Sequence, residues 1–334
     1  MSKRNVAIIV FLVVFVAVFC FRRFQRHYRT MSGVVWTTEY HITYESRVCL
    51  DDSVQAVFEL IDCSASKYNA KSQLSRINRN ETDTLDAILL RLYQISEEVH
   101  RITGGAYDPT VSPLANVWGF GLRTGVRPDS VAIDSLMAFV GLDKTSVTGE
   151  LLTKTDNRIT FDFNSIAKGF ACDEVGRMLA RNGVENYVVE IGGEVSARGH
   201  SERGQEWRVS VDRPIESSDT VIHESAFVIS LSSGGVASSG NYRNFRVVDG
   251  RKVGHIINPH TGYPEATDLL SVTVVAADCA TADAYATGLM VLGYDSAREI
   301  ADEMDSIGVS LTRAAADGSV AVWENASLRQ MMQE

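Results

Sequence analysis

A chain of 334 residues with 45% apolar side chains, six prolines and 22% charged residues has the composition of a folded globular body, with room for one large domain or two ordinary ones. Lys3, Arg4, Arg22, Arg23, Arg26 and Arg29 all fall before residue 30 with no acid among them, and removing those six from the 32 bases leaves 26 against 42 acids. A body that acidic argues against a nucleic-acid partner, and it holds a polyanionic ligand only with a metal ion or a few well-placed donors.

Val6 to Phe21 is uninterrupted apolar sequence with bases on both sides. As a helix it spans about 24 Å, slightly short of a ~30 Å hydrocarbon core, and Arg22 and Arg23 can snorkel to close the gap. Phe19, Cys20 and Phe21 suit neither a signal-peptide nor a lipoprotein cleavage site, so residues 1–30 read as an uncleaved anchor. The bases after the segment outnumber those before it, which by charge alone places the body in the cytoplasm. The five cysteines, Cys20, Cys49, Cys63, Cys172 and Cys279, make no CxxC pair and read as small buried hydrophobes.

Trp36 to Tyr44 is rich in Thr, Tyr and Ile and predicts a strand; Ser53 to Ser64 predicts a helix. From Thr84 to Thr103, Leu85, Ile88, Leu89, Leu92, Ile95, Val99 and Ile102 form one apolar helical stripe, stopped by Gly104-Gly105. Asn164 is placed to cap a helix running to Asn182, with Gly183 just past its end. Strands are expected at Tyr187–Ile191, Glu206–Val211, Ala226–Leu231, Phe245–Val248 and Leu270–Ala276, and a last helix from Thr281 to Leu292, stopped by Gly293. No regular βαβ alternation emerges, so the expected class is α+β with mixed or antiparallel sheets.

Four stretches could carry chemistry, and each has a plain structural alternative. In Asp162–Gly176 a helix start offers free N–H groups and a positive dipole end, with Lys168 as a point charge for phosphate; an ordinary helix with an exposed lysine reads the same way. Asp283 and Thr287 are one helical turn apart and offer hard oxygens of the kind Mg²⁺ takes, although an acid near a helix start is also a dipole partner. His255 is a possible general base or a structural histidine, within a Gly-, Asn- and Pro-rich stretch from Ser238 to Pro264. Gly104 to Gly121 is a rigid loop whose Trp118 and Phe120 could stack on a flat ring or anchor the core.

In order, KYNAKSQLSRIN (Lys67–Asn78), GAYDPTVSPLANVWGFG, FDFNSIAKGFACDEV, YVVEIGGEVSARG, SSGNYRNF, HIINPHTGYP and SVTVVAADCATADAYATGLMVLG resemble the ApbE family, the FAD:protein FMN transferases. The resemblance covers the chain from about residue 34 to the end. It implies a single α+β catalytic domain over residues 31–334 that transfers FMN from FAD to a threonine or serine of a target flavoprotein, releasing AMP, with Mg²⁺ at the pyrophosphate. Carried over residue by residue, Tyr68, Asp108, Pro109, Thr110, Val111, Asp162, Lys168 and Ile257 match FAD contacts. Ser165 (through its carbonyl), Asp283 and Thr287 match the metal ligands, and His255 matches the base. Trp36 stands at a further FAD-contacting position where many members carry methionine; Asn258 and Asn241 replace frequent aspartates.

The family also implies an acceptor among membrane redox-pump subunits or other exported flavoproteins. It places the body on the periplasmic side of a bacterial inner membrane, against the charge rule. Two alternatives stay open on sequence: FAD hydrolysis to FMN and AMP, and flavin binding without turnover.

Overall fold

The structure, a computed structural model, describes residues 27–120, 128–212, 225–240, 245–248, 251–254, 256–264, 268–314 and 319–332. The apolar segment Val6–Phe21 and His255 lie outside the described residues. Among those described, no helix is long and apolar enough to cross a membrane.

In chain order the strands are β1 (Tyr28–Val35), β2 (Thr38–Glu45), β3 (Thr145–Thr148), β4 (Leu151–Lys154), β5 (Tyr187–Ile191), β6 (Glu194–Arg198), β7 (Trp207–Asp212), β8 (Ser225–Leu231), β9 (Ser233–Gly240), β10 (Phe245–Val248), β11 (Arg251–Gly254), β12 (Leu269–Ala276), β13 (Gly308–Ala314) and β14 (Val320–Glu324). The helices are α1 (Asp51–Ala65), α2 (Gln73–Asn78), α3 (Ala87–Ile102), α4 (Ser112–Val117), α5 (Ser130–Met137), α6 (Asn164–Arg181), α7 (Cys279–Asp302) and α8 (Ala326–Met331).

Eight strands form one sheet in the order β1-β2-β5-β6-β9-β12-β13-β14, every neighbouring pair antiparallel. The expected α+β class is therefore realised in its antiparallel form. Helices α1, α3, α6 and α7 bury their apolar stripes against one face, with Ile42, Leu89, Phe170, Val189, Val274 and Leu289 in a common core. The hairpin β7–β8 covers part of the other face, where Trp207 and Ile229 pack with Val195, Val236 and Val275.

Several expectations shift in detail. The first predicted strand is realised as β2 from Thr38 on, while Trp36 and Thr37 form the two-residue turn of the β1–β2 hairpin with φ of 48° and 67°, and Val35 pairs with Thr38. Asn164 does not cap α6 but is its first residue, and Asp162 Oδ1 accepts the Asn164 N–H instead at 3.0 Å. Gly293 breaks helical geometry (φ 73°, ψ 173°), yet helix resumes beyond it to Asp302. Of the cysteines, Cys172 and Cys279 are buried as expected, whereas Cys49 and Cys63 are exposed.

Two close contacts fix the inner ends of α6 and α7. A Cβ on Gly169 would lie 2.4 Å from the Cys279 carbonyl oxygen, so only glycine lets the helices approach this far. One turn along α6, Asp173 accepts the first N–H groups of α7, from Cys279 at 3.0 Å and Ala280 at 2.9 Å.

Burial pushes the Asp173 carboxyl up to about 6, against the pull of those two N–H groups. The folded pKa thus lies above the unfolded value near ~3.9. This group's contribution to stability is then full below about pH 4 and is lost as pH rises through about 6. Asp173→Ala is expected to cost on the order of 2–4 kcal/mol by orphaning two buried donors, with a larger loss at pH 4.5 than at pH 7. Urea unfolding at the two pH values checks both the size and the sign.

Candidate active site

The inner ends of α6 and α7 open into a cleft of about 710 Å³. Its walls come from the loop around Tyr107–Val111, the start of α6, the Gly192-Gly193 turn, strands β7, β9 and β12, the segment Ile256–Pro259, and α7. A volume in that range suits a large cofactor-sized ligand. The chemistry-bearing stretches, far apart in sequence, meet here because long-range sheet pairings such as β6 with β9 and β9 with β12 bring their ends together.

At the start of α6, Asp162 is held by three interactions. Its N–H donates to the Pro109 carbonyl at 2.7 Å, its Oδ1 accepts from the Asn164 N–H, and Oδ2 pairs with the buried ammonium of Lys67. Asn78 grips the adjoining segment, with its side chain donating to the Phe161 carbonyl and accepting the Phe161 N–H, both at 2.8 Å. Asn164 donates through Nδ2 to the Tyr68 hydroxyl at 3.3 Å. The Tyr68 ring is 62% exposed and stands beside this helix start, while Asn164 and Ser165 line the cleft.

Deeper in, Asp283 is 4% exposed and its Oδ2 accepts from the Gly169 N–H at 3.1 Å. Burial first, then the nearby Glu194 charge, push its carboxyl up to about 8. Thr287 lies one helical turn on, its hydroxyl 3.3 Å from that of Ser239. Lys168 stands in the second turn of α6 and donates to Glu194 Oε1 at 2.5 Å. Burial works against the Lys168 ammonium, but Glu194 and Asp283 hold its pKa above the ordinary lysine value. Glu194 itself opens β6 directly after the Gly192-Gly193 turn, whose φ angles of 62° and 98° allow the tight hairpin.

Of the residues singled out from sequence, Asp108, Val111, Asp162, Ser165, Lys168, Ile257, Asp283 and Thr287 line one cleft. Pro109 and Thr110 are buried behind its wall. The Thr110 hydroxyl donates to Asp108 Oδ1 at 2.6 Å and accepts the Gly141 N–H at 2.7 Å, while Asp108 Oδ2 accepts the Leu142 N–H at 2.8 Å. This Asp108–Thr110 knot shapes the loop, with both side chains committed to the protein. Trp36 packs edge-on against Phe58 at 5.6 Å between ring centres and does not line the cleft. Trp118 and Phe120 belong to a small cluster with Leu114, Ile133 and Ile257, and Phe120 also reaches the cleft wall.

Sequence reasoning did not single out Lys67 or Glu194. Lys67 opens the KYNAKSQLSRIN motif, so a signal was present. Glu194 lies within the YVVEIGGEVSARG motif, but its residue type there did not show that it would be buried opposite Lys168.

Comparison with known proteins bears on this geometry. The ApbE family model matches residues 36–311. The chain is 34% identical over 296 residues to the FAD:protein FMN transferase of Haemophilus influenzae, covering 82% of this chain and 83% of that one. It is 32% identical over 260 residues to the FAD:protein FMN transferase of Escherichia coli K12, covering 75% and 73%. Among solved structures, the flavin transferase ApbE from Vibrio cholerae superposes with a TM-score of 0.80 at 31% identity, covering 91% of this chain and 99% of that one. The Pseudomonas stutzeri flavinyl transferase ApbE, apo form, gives 0.83 at 28% identity, covering 93% and 98%.

Proposed function

The chain belongs to the ApbE family, and on that footing we propose that it is a magnesium-dependent FAD:protein FMN transferase, acting on a threonine or serine hydroxyl of an acceptor flavoprotein and releasing AMP. The observation that carries the metal reading is Asp283: a buried carboxyl lining a cleft large enough for a dinucleotide, which among the described residues takes one hydrogen bond, from the Gly169 N–H. Thr287 on the same helix and Ser165 across the cleft add hard oxygen donors, which fit Mg²⁺ rather than a softer ion. When bound, Mg²⁺ supplies charge neutralisation at the pyrophosphate.

The chain's own residues account for the rest of the chemistry. The Lys168 ammonium and the positive dipole end of α6 meet phosphate oxygens, which is how an acidic body accepts a polyanion. Asp162 and Lys67 hold that helix start in place, and the exposed Tyr68 ring beside it offers a face to the flavin or the adenine. An acceptor hydroxyl attacks the FMN-side phosphorus; an O–P bond forms to the protein and the bond to AMP breaks. His255 takes the proton from the attacking hydroxyl.

The test combines the full-length chain with FAD, Mg²⁺ and a candidate acceptor protein, and reads flavin fluorescence in the acceptor band after a denaturing gel. A band that disappears with EDTA supports the proposal. AMP and free FMN without a band would favour hydrolysis, and bound FAD without AMP would favour a flavin carrier. His255→Ala is expected to retain FAD while transfer falls roughly 10²–10⁴-fold. Transfer at the parental rate would remove histidine from the mechanism.

For residues 1–30 we propose an inner-membrane anchor with the body on the periplasmic side. Carbonate extraction should leave the chain in the membrane fraction. Protease added to intact spheroplasts should degrade the body, and protection would place it in the cytoplasm.

A further inference from the structure

The Lys168–Glu194 pair is lopsided in a way a structural ion pair is not. The Glu194 side chain is 4% exposed and that of Lys168 is 37% exposed, so the carboxylate lies in the cleft floor while the lysine borders the open volume. Lys168 donates to Oε1 at 2.5 Å, yet among the described residues Oε2 is buried without a hydrogen-bond partner. A carboxylate buried for stability alone has donors on both oxygens, often from the fork of an arginine. A lysine is a point charge on a flexible four-carbon stem, and one ammonium cannot satisfy both oxygens in this geometry.

The surroundings sharpen the imbalance. Asp283, a second buried carboxyl, lines the same cleft as Glu194 and Lys168. Among the described residues that line the cleft, the remaining base is Lys67, and its ammonium is already paired with Asp162. Two buried carboxyls thus line the cleft with one lysine ammonium that is not taken up by Asp162. A second positive charge is the chemistry that answers a buried, unpartnered carboxylate oxygen.

From these observations we infer that Glu194 belongs to the cation site and that Lys168 is its resident counter-ion, paired with Glu194 until a divalent cation arrives and then free to turn toward a phosphate oxygen of the nucleotide. This inference rests on the reading of Asp283 as a cation ligand. It makes Glu194 a residue of the reaction although it need not touch FAD. It also makes cation and nucleotide binding cooperative, because the ion that takes over Glu194 releases the ammonium that phosphate requires.

The test uses Mn²⁺ as the probe, titrated into the full-length chain without FAD and followed by the EPR signal of free Mn²⁺, so turnover is not the readout. Glu194→Gln keeps the size and one acceptor oxygen but removes the charge, and is expected to weaken Mn²⁺ roughly 10–100-fold. Lys168→Met removes the competitor and is expected to bind Mn²⁺ more tightly than the parent while binding FAD more weakly. A structural ion pair predicts the reverse for Mn²⁺, since losing the lysine would loosen the floor. Unchanged Mn²⁺ affinity in Glu194→Gln, or affinity that is unchanged or weakened in Lys168→Met, overturns the inference. Asp283→Asn separates the two levels. If it loses Mn²⁺ while Glu194→Gln does not, the cation site stands and the role of Glu194 falls. If it binds Mn²⁺ like the parent, the cation reading and this inference fall together.

Discussion

Asp283→Ala is expected to reduce FMN transfer by at least roughly 10²–10³-fold, the cost of removing one preorganised charge-handling group from a closed site. Its stability should barely fall. The wild-type carboxyl is buried and held at about 8, so in the absence of a cation it is a poor contributor to the fold. What the variant loses is one hydrogen bond from Gly169, worth about 1 kcal/mol. Transfer measured beside a urea titration therefore separates the two roles. Large loss of activity at near-parental stability identifies a site residue. Parallel loss of both would show that Asp283 chiefly holds α6 against α7.

The second large effect comes from Gly169→Ala. In a helix interior this change ordinarily gains about 1 kcal/mol from propensity. Here the new methyl would sit 2.4 Å from the Cys279 carbonyl and 2.9 Å from Asp283 Cβ. Both obstacles belong to the start of α7, so the helix must move away, at a typical cost of about 1–3 kcal/mol for overpacking. The clash outweighs the propensity gain. Displacing α7 carries Asp283 and Thr287 with it, and an error near 1 Å in a catalytic group costs on the order of 10²-fold. Gly176→Ala, two turns along α6, is the control. Its methyl meets the Tyr187 side chain, 2.8 Å from the hydroxyl, rather than backbone. Its transfer rate should stay within severalfold of the parent. Equal loss of transfer in both variants would mean that α6 tolerates no added bulk anywhere, and would remove Asp283 displacement as the cause.

The contrast among these residues shows what sequence could convey. Helical periodicity located α3 within three residues at its start and one at its end, because its apolar stripe is long and one-sided. Asp283 and Thr287 were legible as a pair since four-residue spacing on a helix fixes their common face. Trp36 was misread as strand because Thr and Tyr around it favour extended backbone, while the turn is forced by pairing of Val35 with Thr38. Thr110 gave no sign that its hydroxyl would be spent on Asp108 and Gly141, because the partner at residue 141 arrives through tertiary packing. Glu194 illustrates the same limit for electrostatics. A glutamate after Gly-Gly looks like a surface residue until β5 and β6 pair and α6 covers it. Periodicity records which face a residue takes, and says nothing about who waits on the other side.

The strand order of the large sheet has a consequence for how the protein comes into being. Strands β6, β9 and β12 are neighbours, and α7 follows the last of them, so the cleft floor is assembled from segments made early and late. At ~5–20 residues per second, Asp162 and Lys168 leave the ribosome many seconds before Asp283 is joined to the chain. Until then the start of α6 has no α7 to rest on, and Gly169 and Asp173 face nothing. A truncated or half-made product therefore lacks Asp283, Thr287 and the wall that α7 gives the cleft. Completion of the polypeptide is what closes the floor.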